Sequence, residues 1–120
     1  MIVSTPEDIR DRTKKFAIRI VRLFRALPRS VEAQVMGKQL LRSGTSVAAN
    51  YRAVCRSRSK AEFIARIGVV AEEADESVLW LELLEETQTL SSKRLQDIMR
   101  EARELTAIFS ASQKTSRDNR

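Results

Sequence analysis

Cations recur in the second quarter of the chain at spacings that align them on one side of a helix: Lys38, Arg42, Arg52 and Arg56, in line with Thr45 and Ala49. Arg58 and Lys60 follow directly, and Lys15, Arg19 and Arg22 repeat the pattern upstream. A row of guanidinium and ammonium groups suits a polyanion, because each cation can meet a phosphate without reading the base attached to it. Base-specific recognition is not expected. The chain has one Trp, one Tyr and four Phe, most of them at positions that read as core, which leaves few rings for stacking.

Other chemistries are excluded by composition or disfavoured by spacing. There is no His, so Ser-His-Asp and Cys-His nucleophilic sites, imidazole-held metals and the Glu-x-x-His di-iron bundle signature are all ruled out. Glu72, Glu73, Asp75 and Glu76 point around a helix and do not converge, so they read as a solvated or salt-bridged face and not as a metal site. Cys55 follows Arg52 and precedes Arg56 and Arg58, yet it sits at the edge of an apolar stripe and reads as a buried, inert thiol. No strand is expected to introduce a glycine-rich phosphate loop. No catalytic residue, cofactor or metal is expected, and the chain does not read as an enzyme.

The elements that must carry the cations are helices. Thr5-Pro6-Glu7-Asp8 has a capping hydroxyl, a first-turn proline and acids at the positive end of the dipole, so a first helix is expected over about residues 6–27. Ile9, Phe16, Ile20, Leu23 and Leu27 form its inner stripe, and Ile18 falls on the outer, cationic side. Pro28 ends that helix and Ser30 caps a second, over about 31–56, with Leu40, Gly44, Val47, Tyr51 and Val54 inward. Ser43, Ser46 and Asn50 make a line of small or hydrogen-bonding residues beside that stripe. In this reading, Ser46 and Asn50 set helix register. Ser59 with Glu62 is a capping box opening a third helix over about 60–86. Phe63, Ile67, Val70, Ala74, Ser77, Leu81 and Leu84 alternate steps of four and three, which is bundle packing. Val69, Trp80 and Leu83, clustered with Glu73 and Glu76, fall on another side and read as an oligomer interface. A fourth helix over about 92–112 carries Leu95, Ile98, Ala102, Leu105 and Phe109 inward, and residues 113–120 read as a frayed polar tail.

The run SGTSVAANYRAVCRSRSKAEF, with the following EEADESVLWLELL, resembles the 23S rRNA intervening-sequence protein family, also called four-helix bundle proteins. The likeness spans roughly Leu40 to Leu84 by motif and the rest by length and helix layout. Many relatives read ANxxEG where this chain has Arg52 to Cys55 after the Asn. The resemblance implies an antiparallel up-and-down four-helix bundle, often assembled as a pentamer, with no established enzymatic activity. It also implies kinship with the accessory subunit of diversity-generating retroelements, which binds a reverse transcriptase and RNA.

A chain of 120 residues is sized for a single domain. One unpaired Cys and no apolar run near the roughly 20 residues of a membrane helix fit a cytoplasmic protein. The net charge of +6 is unevenly spread, at +5 for residues 1–29, +5 for 30–60, −7 for 61–90 and +3 for the remainder. Two functions suit that division. The basic faces bind RNA or another nucleic acid, or they pair with the acidic third helix of a neighbouring subunit in an oligomeric scaffold whose ligand is a protein.

Overall fold

The computed structural model describes residues 4–119, in which the backbone forms four α-helices and no strand: α1 (Pro6–Arg25), α2 (Val31–Val54), α3 (Lys60–Glu86) and α4 (Ser92–Asp118). They pack as an antiparallel up-and-down bundle measuring 48 × 29 × 22 Å, each helix lying beside the one before it. Met1 to Val3, part of the expected N-terminal arm, lie outside the described residues.

Each helix begins where its cap dictates. The Thr5 hydroxyl accepts from the Asp8 amide at 3.1 Å while the Thr5 amide donates to the Asp8 carboxylate at 3.0 Å, a reciprocal pair that satisfies two otherwise orphaned donors. Ser30, Ser59 and Ser91 cap the other three through their hydroxyl oxygens. The turn into α4 passes through Gln88, whose φ of 59° is left-handed.

The inner stripes bury as their periodicity demands. Phe16, Ile20, Leu40, Val47, Ile67, Val70, Leu81, Leu84, Leu95, Leu105 and Phe109 all lie at or below 1% exposure. Gly44 earns its place by geometry, since a Cβ there would sit 2.8 Å from Cγ1 of the fully buried Ile20. Its absence lets α1 and α2 close. Between α2 and α3 the hydroxyls of Ser43 and Ser77 meet at 2.8 Å in the core. That pair, and not Ser46 with Asn50, ties the two helices in register. Asn50 instead donates to the Ser46 carbonyl of its own helix at 2.9 Å, the local alternative open to short polar side chains.

Two further expectations are corrected. Helix α4 continues through residues 113–118, where a frayed tail was expected, because polar groups anchor it in place of apolar ones. The Gln113 side-chain amide donates to the Ile64 carbonyl at 3.1 Å, in space that the missing side chain of Gly68 leaves open, and Lys60 donates to the Asn119 carbonyl. Equal lengths of 27 residues let α4 run alongside α3 to its end. Cys55 is exposed, not buried, because α2 stops at Val54 and the thiol falls beyond its last packed turn.

The seam between α1 and α4 is the loosest of the bundle. Arg12 bridges it, holding Glu101 at 2.8 and 2.6 Å through two nitrogens and Glu104 at 2.6 Å. A two-toothed contact of this kind fixes relative position as well as charge.

Candidate nucleic-acid interface

Antiparallel packing places the start of α1 beside the end of α2, and there the sequence puts cations on both. Arg10 and Lys14, one turn apart on α1, share a surface groove with Arg52 and Arg56, one turn apart on α2; Asp11 and Cys55 complete its lining. All four cations are exposed, and among the described residues none forms an ion pair. The last turn of α2 presents the negative end of its dipole, which favours cations at Arg52 and just beyond. Arg66 of α3 reinforces that end by donating to the Ala53 carbonyl at 2.7 Å while pairing with Glu62 at 2.7 Å.

Beside the groove the α2–α3 turn carries Arg58, which borders two recesses. One holds Ala53, Arg56, Glu62 and Arg66. The other opens onto the end of the bundle between Pro6, Arg10, Tyr51, Val54 and Phe63. Tyr51 is buried with its ring 5.6 Å from that of Phe109, and burial, seconded by the neighbouring Cys55, pushes its phenol up to about 12. The Ser57 hydroxyl oxygen at this mouth is buried with no hydrogen-bond partner among the described residues. Such an orphan costs about 1–3 kcal/mol.

The nine cations singled out in the sequence divide. Arg52, Arg56 and Arg58 gather at the α2–α3 end. Arg42 does not join them, because its guanidinium pairs with Glu73 at 3.1 Å and with Glu76, and these contacts, Glu76 first, raise its pKa. Lys38 is exposed, but it lies fourteen residues before Arg52, roughly 20 Å along the helix axis. Lys15, Arg19 and Arg22 follow a neighbouring stripe of α1 and do not line the groove, and Lys60 is engaged with Asn119. The unbroken row read from α2 alone is therefore two patches. Arg10 and Lys14 were missed because the spacing was read within each helix. Antiparallel pairing of a cation-bearing start with a cation-bearing end was the signal that would have found them.

On α3, the strip read as an oligomer interface is partly spent inside the subunit. Glu73 and Glu76 hold Arg42, and the Trp80 indole donates to Glu76 at 3.1 Å while its ring packs partly against the core. Leu83 is half-buried and Val69 is 44% exposed. Larger apolar exposure occurs where the sequence reading did not look, at Val31 (79%) and Val35 (57%) on α2, with Leu79 on α3 at 47%. Ile18, anticipated on the outer face of α1, is exposed as expected. No group of His, Cys, Asp or Glu among the described residues is arranged to hold a metal ion, and no described helix is long and apolar enough to cross a membrane.

Fold and surface together define a four-helix bundle protein with a cationic groove where its first helix begins and its second ends. The family model described as 23S rRNA-intervening sequence protein matches residues 7–111, and the chain belongs to that family. A crystal structure of a protein of unknown function, assigned to the S23 ribosomal protein family and from Bacteroides thetaiotaomicron, is similar at 34% identity and a TM-score of 0.83, covering 91% of this chain and 97% of that one. No curated protein matches the chain.

Proposed function

We propose that the protein is a non-enzymatic, cytoplasmic nucleic-acid-binding protein, with RNA as its expected ligand, acting as a homo-oligomer. One observation carries this reading: Arg10, Lys14, Arg52 and Arg56 converge on one groove with the single carboxylate of Asp11, and among the described residues none of the four forms an ion pair. Four cations against one carboxylate in a groove leave a net repulsion, and a row of phosphates relieves it while releasing counterions. Self-association repeats the groove on each subunit and multiplies weak contacts. The pentamer implied by the family resemblance is the assembly to test first. Val31 and Val35 lie one turn apart on α2, and Val35 shares a helical stripe with Arg42, which reaches to α3 beside Trp80. This α2–α3 face is our choice for the subunit contact.

The Arg42 pairing with Glu73 and Glu76 supports a second reading. One basic residue of α2, Arg42, already pairs with two carboxylates of α3 within the subunit, and the same complementarity between subunits would make an oligomeric scaffold for a protein partner, such as a reverse transcriptase-like enzyme. Joint charge reversal, Arg52→Glu with Arg56→Glu, separates the two. Retention of native mass by light scattering with loss of RNA in a mobility shift supports the nucleic-acid reading. Dissociation of the assembly supports the scaffold.

A further inference from the structure

We propose that the open end of the bundle beside the α2–α3 turn takes one unpaired nucleotide, its base against Phe63 and Tyr51 and its phosphate between Arg10 and Arg58. This inference rests on the nucleic-acid reading above and narrows it to strands with unpaired bases. The recess measures about 670 Å³, inside the roughly 300–1,000 Å³ span of small-ligand sites. Its lining divides by chemistry. Tyr51, Val54 and Phe63 supply an apolar, largely aromatic wall, and Phe63 is only half-buried. The rim carries Glu7, Ser59 and Ser57, whose hydroxyl oxygen lies buried with no partner among the described residues.

The cations connect this recess to the rest of the basic surface. Arg10 lines both the recess and the groove of Arg52 and Arg56, and Arg58 lines both the recess and the adjoining pocket of Arg66. A strand whose phosphates follow the groove thus passes the mouth of the recess, where a base turned out of the strand finds a ring face and hydrogen-bonding groups for its edge. A paired base cannot enter without leaving its duplex. An acyl carboxylate fits less well, since its chain would leave the Ser57 hydroxyl and the Glu7 carboxylate facing alkyl groups. Inorganic phosphate alone would leave the aromatic wall uncovered.

The test is a fluorescence titration of the full chain, at one fixed low salt, with a single-stranded RNA carrying 2-aminopurine and with the matched duplex. The expected result is tighter binding of the single strand by about tenfold, the order of one stacked base, with fluorescence quenched on binding. Phe63→Leu should remove most of that preference while leaving duplex affinity unchanged, and thermal melting reports whether its core survives. Arg58→Gln, at an exposed position, should weaken both RNAs through the lost charge and the single strand more than the duplex, without touching the core. Equal affinity for both forms, unaltered by either variant, overturns the nucleotide recess but leaves nucleic-acid binding intact. Displacement of the quenched probe by a long-chain fatty acid but not by a nucleoside monophosphate also overturns it. Failure of both RNAs to bind overturns the underlying reading as well.

Discussion

At the scale of single residues, the chain offers two natural reporters, because it has one Tyr and one Trp. The Tyr51 phenol is raised to about 12, so the folded state keeps its proton where the unfolded chain, with a phenol near 10, begins to lose it. A folded-state pKa raised in this way contributes stability that is complete below about pH 10 and is lost as pH climbs to about 12. Tyrosinate absorbance should titrate near 12 in the native protein and near 10 in denaturant. Tyr51→Phe should flatten the corresponding part of the alkaline stability curve, and a native titration near 10 would refute the account of that site. Trp80 reports on the Arg42–Glu76 pair, since its indole donates to the same carboxylate oxygen that receives Arg42. Side-chain roles of this kind were the least legible in the sequence. Asn50 and Ser46 carried the expected chemistry, but Ser43, one turn earlier, points at Ser77, and only the pairing of two helices decides which hydroxyl of a polar line meets a partner.

At the scale of elements, the pattern was readable because propensity, caps and periodicity all agree, and four caps plus four apolar stripes leave little freedom. What the sequence concealed was contact between polar groups. The end of α4 has no apolar anchor, yet Gln113 holds it to α3 through a backbone carbonyl beside Gly68. A Cβ at Gly68 would fall 2.3 Å from the Gln113 amide nitrogen, so Gly68→Ala should expel that side chain and speed amide hydrogen exchange from about residue 113 onward, with the bundle core unchanged. The long side chain can swing away, which confines the damage. Gly44→Ala has no such escape, because Ile20 Cγ1 and Cγ2 would lie 2.8 and 3.0 Å from the new methyl and Ile20 is fully enclosed. Overpacking there should cost about 1–3 kcal/mol in denaturant unfolding despite the gain in helix propensity. A neutral or stabilising result would mean that α1 and α2 do not pack as closely as described.

At the scale of the whole molecule, charge and apolar exposure are concentrated toward different ends of α2. Val31 and Val35 expose more than half their surface near the start of α2, while the cationic groove lies near its end. Separation of this sort lets an assembly contact and a polyanion contact coexist on one subunit. Val35→Lys should therefore lower the mass measured by light scattering without weakening RNA binding per subunit at saturating protein, and an unchanged mass would move the subunit contact elsewhere. The groove itself was half visible in the sequence, since Arg52 and Arg56 were identifiable on α2 and their partners Arg10 and Lys14 required the antiparallel fold. The most direct test of the central claim is the affinity of the intact protein for single-stranded RNA across a salt series. With four phosphates met by Arg10, Lys14, Arg52 and Arg56, log affinity should fall linearly with log salt at a slope of about −3, flattening to about −1.5 in Arg52→Gln with Arg56→Gln. Absence of binding at the lowest salt, or a slope that the double substitution leaves unchanged, would contradict the assignment of that groove.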